Sequence, residues 1–437
     1  MKIELLIKPR WIITVNATNQ VLENHAIVIH QGQIIDLLPA TDSQRYQAEQ
    51  VVELADHALM PGLINAHTHS AMALLKGLAD DLPLMEWLQE HIWPAEARWA
   101  DANFVYDGTQ LAIAEMIRSG TTCFNDMYFF TDASLKAVQK AGIRAALGMI
   151  LIDFPTAYAN DPDEYLAKGR ALHDSVQDLP LITTLFAPHA PYTVSDQPLL
   201  KLHAQAQALN VPIHMHVHET AHEVMQALTE QGERPLARLN RLGVLDNHFL
   251  AVHMTQLDTS DITLLANKGV HVIHCPESNL KLASGFCPVA DLLEAGVNVA
   301  LGTDGSASNN DLDMLGEMRT AALIGKAVAH NANAVSATQV LRMATINGAK
   351  ALNLAEVTGS LEVGKSADMI AIDLGSIEAL PVYDPASHIV YCTTRDQVRS
   401  VWVAGKCLMN ERKLLTLNET ELKATAKAWQ LKIGEFA

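Results

Sequence analysis

Apolar and polar positions recur at two spacings along this chain, and the switch between them divides it into three parts. From Ile3 to Leu59, short runs such as AIVIHQGQIIDLL alternate apolar with polar residues and break at Gly and Asn turn signals, which predicts small antiparallel strands. The pattern returns in GSLEVGKSADMIAIDL and VRSVWVAGKCLMNERKLL, with Gly359, Gly364, Gly375 and Gly405 at turns. The two remote segments are expected to form one small β-sandwich. Between them, eight strand-like runs stand out: LMPGLINAHTH, GTTCFNDMY, IRAALGMIL, LITTLFAPH, VPIHMHVHE, HFLAVHMT, GVHVIHCPE and VNVALGTDG. Stretches of helical period, such as DGTQLAIAEMIRSG and DQPLLKLHAQAQALN, separate them. Strands alternating with helices predict a parallel sheet, and eight of them close it, so the expected α/β fold is a (β/α)8 TIM-like barrel. The boundaries follow as 1–58 for the first part of the sandwich, 59–358 for the barrel, and 359–437 for the second part. That last part carries a terminal helix over NETELKATAKAWQLKIGEF, packed outside.

The 437 residues suffice for a barrel with an accessory domain, and 49% hydrophobic with 18% charged residues is the balance of a globular enzyme rather than a disordered chain. A formal net charge of −18, with no Lys/Arg cluster to reverse it locally, excludes nucleic acid as an expected partner. The five cysteines, Cys123, Cys275, Cys287, Cys392 and Cys407, are far apart and form no CxxC pair, which fits a reducing, cytoplasmic compartment. Lys8 and Arg10 interrupt the apolar start MKIELLIKPRWIITV, and no run approaches the length of a membrane span, so no membrane partner is expected. A homo-oligomer is compatible with all of this.

The chemistry sits at the ends of the barrel runs. His67 and His69, then His189, then His214, His216, His218 and Glu219, then His253, then Asp304 each close a strand, the position where this fold builds its catalytic sites. Alternation along a strand turns His67 and His69 to one face, where they can clamp a single ion. Imidazoles with a carboxylate suit Zn²⁺, and also Fe²⁺, Mn²⁺ or Ni²⁺. Parity does not choose among His214, His216 and His218, which all face alike. His214 lies deepest and reads as structural, and His218 at the mouth reads as orienting a neighbour or facing solvent.

In this order, MPGLINAHTH, APHAPYT, HVHET, AVHMTQL, CPESNLKL and LGTDGSASNN resemble the amidohydrolase superfamily over most of the chain. DDLPLMEWLQEHIWPAE and HVHETAHEV are similar to the branch that holds 5'-methylthioadenosine/S-adenosylhomocysteine deaminases, s-triazine hydrolases and guanine-type deaminases. The resemblance implies one divalent ion, zinc before others, on His67, His69, His216 and Asp304. It selects His216 because the family's glutamate follows its ligand by three residues, as Glu219 does. No counterpart of a bridging carbamylated lysine appears, since the fourth run ends in FAPHAPY.

The resemblance also implies hydrolytic deamination of an adenine nucleoside as a small-molecule substrate. Asp304 and His253 would hold the attacking water and accept its proton, and Glu219 would protonate the ring nitrogen. His189 would contact the base, or else order the loop after the fourth strand. Glu96 in HIWPAE would accept hydrogen bonds from both ribose hydroxyls. Asn279 either lines the pocket or caps the next helix, and Trp87 and Met85 carry no assigned role. A homocysteine carboxylate would call for a cation, for which Arg144 and Arg170 are the candidates. The competing readings are a triazine hydrolase or free-base deaminase on the same ligands, and a non-catalytic binding protein.

Overall fold

The computed structural model describes residues 1–434. The N-terminal part contributes β1 (Lys2–Ile13), β2 (Val21–Glu23), β3 (His25–His30), β4 (Gln33–Pro39) and β5 (Gln47–Pro61). The central strands are β6 (Leu63–Thr68), β7 (Thr121–Asp126), β8 (Arg144–Leu151), β9 (Ile182–Pro188), β10 (Ile213–Val217), β11 (Phe249–His253), β12 (His271–His274) and β13 (Val299–Leu301). The C-terminal part adds β14 (Met369–Asp373), β15 (Val398–Val403), β16 (Lys406–Asn410) and β17 (Lys413–Leu414).

Strands β6 to β13 pair in sequence order, each ladder parallel, and each lies inside one of the eight runs picked out by their apolar pattern. β6, β7 and β8 are buried along their whole length because helices cover one face and barrel side chains fill the other. The seam between β6 and β13 closes at the end that carries the chemistry. There Asp304 donates its amide to the His67 carbonyl at 3.0 Å, and the Asn65 carboxamide clasps Thr303, accepting its backbone N–H at 3.0 Å and donating to its hydroxyl at 2.7 Å. Gly302 permits this approach, since a Cβ there would lie 2.8 Å from both the backbone nitrogen and the Cβ of His67.

The two chain ends share one nine-stranded sheet, ordered β17-β16-β15-β14-β5-β1-β3-β4 with β2 on β1. It curls until its far edge meets its middle: Ile34 donates to the Lys365 carbonyl at 2.8 Å and Ala367 to that of Gly32 at 2.9 Å. The sandwich therefore takes the form of a single curled sheet around Ile7, Ile27, Leu59, Met369 and Trp402. Arg144, at the start of β8, ties it to the barrel through a buried ion pair with Asp368 at 2.8 Å. The terminal helix, Glu419–Gly434, docks on helix Ala102–Arg118, where the Trp429 indole donates to Asp107 at 2.9 Å; residues 435 and 436 of the predicted run lie outside the described residues.

Candidate metal centre and active-site pocket

Three strand ends, those of β6, β10 and β13, converge on one point. The donor atoms of His67, His69, His216 and Asp304 all lie within 4.8 Å of one another, three of these residues being buried and His69 nearly so. Asp304 Oδ1 is 3.2 Å from the Nε2 of both His67 and His69, and the Nε2 atoms of His67 and His216 are also 3.2 Å apart. Donors tetrahedrally placed around a zinc ion at about 2.0 to 2.1 Å would be separated by roughly 3.3 Å, so the cluster has the dimensions of such a site.

The other face of each ring is occupied, which aims Nε2 inward. His69 Nδ1 donates to the Met127 carbonyl at 2.7 Å, His216 Nδ1 to that of His189 at 2.7 Å, and His67 Nδ1 meets His214 Nε2 at 3.0 Å. His214 is thus the support of a ligand, and the parity ambiguity of HMHVHE resolves by depth. His218 turns away at a φ of 53°, bonding the Gln256 carbonyl and the Leu236 amide. Ser278 and Ser308 donate to Asp304 Oδ2 at 2.7 and 2.8 Å.

Burial lowers His67 to about 4 and holds His216 well below its ordinary value, leaving both as neutral imidazoles able to ligate. Burial would raise Asp304, but hydrogen bonds from His67 and His69 keep it well below the carboxylate range. Burial pulls His69 down as well, yet Asp304 outweighs it and drives His69 up to about 9. The carboxylate demands positive charge beside it, and a divalent ion meets that demand. Three imidazoles and one carboxylate, desolvated and pre-aimed, fit a single ion such as Zn²⁺.

Beside the cluster lie Glu219 and His253. His253 Nε2 is 3.8 Å from Glu219 Oε2, and its Nδ1 donates to Asn279 Oδ1 at 2.9 Å. Asn279 therefore orients His253 rather than capping a helix. His253 and Asp304 have φ of 73° and 65°, left-handed values that cost non-glycine residues about 1 kcal/mol or more and concentrate at working sites. Glu223, which the sequence reading did not single out, accepts the backbone N–H groups of His218 at 2.9 Å and Glu219 at 2.7 Å, fixing the turn that presents the Glu219 carboxyl. Burial raises Glu219, with the His253 charge pulling the other way. A carboxyl biased toward its protonated form is suited to donate a proton.

The cluster opens into a cavity of about 350 Å³ that His69, Glu96, His189, His216, Glu219, His253 and Asp304 all line, with His67 buried beneath. His189 lines the cavity, its ring lowered to about 3 by burial; its Nδ1 bonds Thr193 Oγ1 in the loop after β9 at 2.9 Å and its carbonyl holds His216. Glu96 reaches the cavity from helix Trp93–Trp99, just after a π-helical turn, Trp87–Ile92, of the kind that often marks functional sites. Burial raises its carboxyl, while Tyr128 and the His69 charge act against this. The Tyr128 hydroxyl, another group missed in the sequence, is buried on the cavity wall beside the Glu96 carboxyl. Neither arginine considered for a substrate carboxylate lines the cavity. Arg144 is committed to Asp368, and Arg170 sits exposed on an outer helix, paired with Asp174 at 2.9 Å.

The amidohydrolase family model matches residues 58–408. The chain is 51% identical to a 5-methylthioadenosine/S-adenosylhomocysteine deaminase of Saccharophagus degradans, over 98% of this chain and 97% of that one. It is 42% identical to a 5'-deoxyadenosine deaminase of Methanosarcina mazei, over 96% of each. Among solved structures it is similar to an adenosine deaminase from Xanthomonas campestris with bound zinc, at a TM-score of 0.98 and 49% identity over 99% of both chains.

Proposed function

We propose, from the premise that this chain belongs to the amidohydrolase family, that it hydrolytically removes the exocyclic amino group of an adenine nucleoside, with 5'-methylthioadenosine the substrate that the site suits best. The observation that carries this reading is that one cavity opens onto the cluster of His67, His69, His216 and Asp304 and is lined by Glu219 and, from a separate helix, by Glu96. The adenine nucleosides in the names of its relatives, and the zinc in the Xanthomonas campestris structure, agree with it.

A divalent ion held by His67, His69, His216 and Asp304 would supply a bound water of lowered pKa. Asp304 and His253 are the groups placed to orient a water there and to accept its proton, with Asn279 fixing the His253 ring through Nδ1. Glu219 gives its proton to the ring nitrogen beside the amino-bearing carbon, which relieves the charge that builds in the ring as the water adds; help of this kind is worth about 10² to 10⁴ in rate. His189 packs against the base. Glu96 accepts from the ribose hydroxyls, a recognition that a free base or a triazine could not use. We place the enzyme in the cytoplasm, where its five free cysteines stay reduced. No helix among the described residues is long and apolar enough to cross a membrane.

The test is ammonia release from 5'-methylthioadenosine, with melamine and guanine as comparison substrates. Chelator treatment should abolish release and zinc should restore it. Full turnover by metal-stripped protein refutes the proposed chemistry, and turnover of melamine or guanine alone refutes the substrate class.

A further inference from the structure

We infer that the terminal helix, Glu419–Gly434, is a working part of this active site: Trp429 is a positioning residue that steadies the helix Trp93–Trp99, and through it Glu96, for the ribose. The role rests on the reading of Glu96 as the ribose acceptor given above. The segment that brings Glu96 to the cavity has little hold of its own. The π turn Trp87–Ile92 interrupts it, the α-helix that follows has seven residues, and none of the seven is fully buried. Isolated helices shorter than about 12 residues are marginal in water, so such a segment takes its place from what it packs against.

At its C-terminal end that packing is against the terminal helix. The Trp99 and Trp429 rings meet edge to face, their centroids 6.5 Å apart at 82°, and the Lys432 ammonium lies 5.0 Å from the first and 4.2 Å from the second. Trp429 is itself pinned from the other side: its ring meets Phe104 at 5.4 Å and its indole donates to Asp107 at 2.9 Å, both on helix Ala102–Arg118. Trp429 and Ile433 belong to one apolar cluster with Met72, Trp87, Ile92 and Tyr128, four residues that line the cavity. The cluster is separate from the main barrel core, so this wall of the cavity is backed by the far end of the chain.

The physical consequence is selective. Trp99 stands three residues after Glu96 on the same helix, so a shift of its ring is passed directly to the carboxylate. Misplacing a group that positions substrate by about 1 Å can cost about 10²-fold, and lost hydrogen bonds to a charged group amount to roughly 10- to 100-fold. The metal ligands, Glu219 and His253 stand at barrel strand ends with supports of their own, from Met127, His189, His214, Glu223 and Asn279. Removing the Trp429 ring should therefore weaken ribose recognition and leave zinc binding and the deamination step in place.

The experiment measures kcat/KM for ammonia release by the zinc-loaded full chain from 5'-methylthioadenosine and from its 2',3'-dideoxy analogue. The variants are Trp429→Leu, Trp429→Phe, Glu96→Ala and the double variant Trp429→Leu/Glu96→Ala, with zinc content and thermal midpoint measured on each. Trp429→Leu is expected to lose about tenfold or more on the ribonucleoside and to stay within about threefold on the analogue, with zinc stoichiometric. Trp429→Phe keeps an aromatic edge for Trp99 and should recover most of the loss. In the Glu96→Ala background Trp429→Leu should add little, because the two act as one unit. A loss equal for both nucleosides, or one undiminished in Glu96→Ala, overturns the inference, since the helix is then a general prop. Should Trp429→Leu fail to fold, Lys432→Met at an exposed position decides: a selective loss of about two- to fivefold supports the inference and no selectivity overturns it. Equal losses on both nucleosides in Glu96→Ala alone are the distinct result that removes the ribose reading, and ammonia from neither nucleoside removes the deaminase reading itself.

Discussion

Replacing Asn279 with leucine would test whether His253 works as a directed base. Asn279 and His253 are 2% and 1% exposed, so water cannot take the place of the 2.9 Å bond between Asn279 Oδ1 and His253 Nδ1. That bond fixes the tautomer: with the proton on Nδ1, Nε2 keeps its lone pair and lies 3.8 Å from the Glu219 carboxyl. Once His253 has accepted a proton, both nitrogens carry hydrogen, and Nδ1–H needs its acceptor most at that moment. A hydrogen bond to a charged group is worth about 1.5 to 3 kcal/mol, so Asn279→Leu should lower kcat by about 10- to 150-fold, with KM within a few-fold of its original value. Asn279→Asp restores an acceptor and should recover part of the loss. The assay is steady-state ammonia release, with zinc content and thermal midpoint measured on the same samples. Because Asn279 contributes no ligand, zinc should stay stoichiometric. An unchanged kcat, or a loss of activity that merely tracks lost zinc, would refute the assignment of His253 as a base steered by Asn279.

Glu96→Ala should reduce kcat/KM for 5'-methylthioadenosine by about one to two powers of ten more than for its 2',3'-dideoxy analogue, since only the former offers both hydroxyls; equal losses would make Glu96 structural. Glu219→Gln should keep its zinc while kcat falls by about 10² or more, and loss of the metal would show that Glu219 supports the ligands instead. Burial raises the Glu219 pKa, so its protonated form persists to higher pH than that of a free glutamate; activity that depends on this proton should be present below the raised pKa and decline above it, and the decline should vanish from the residual activity of Glu219→Gln. Arg144→Met should leave the buried Asp368 carboxylate without its counter-ion, held only by the Ser366 hydroxyl and the Ala404 amide, lowering unfolding free energy by about 3 to 5 kcal/mol in denaturant titration without changing kcat of the folded enzyme. An unaltered midpoint would show that the pair contributes no more than a well-packed apolar side chain.

The barrel was legible because a strand buried on both faces needs a near-continuous apolar run, and each of the eight runs from LMPGLINAHTH to VNVALGTDG contains a strand. Convergence of His67, His69, His216 and Asp304 followed from their shared place at strand ends together with the family's spacing. The supports were not legible in the same way. Asn279 and Glu223 sit in recognisable motifs, but their partners are set by where a loop folds back. The left-handed backbone of His253 and Asp304 carries no glycine to announce it. Arg144 opens the strand-like run IRAALGMIL, and nothing local shows that its partner, Asp368, comes from the sheet built by the other end of the chain. Curling of that sheet was hidden too, since strand alternation reports faces and not closure.

The pairing of β14 with β5 also bears on how the chain emerges during synthesis. Met369 pairs with Pro61 and Ala371 with Leu59, so the partner of this edge follows roughly 300 residues later, and at about 5 to 20 residues per second the edge stays open for roughly 15 to 60 s. Throughout that interval Ala58, Leu59 and Met60, buried in the finished protein, stand on a strand paired with β1 on one side and open on the other. The nascent chain thus presents a ready template for another copy's strand until Met369–Asp373 has left the ribosome and closed that edge.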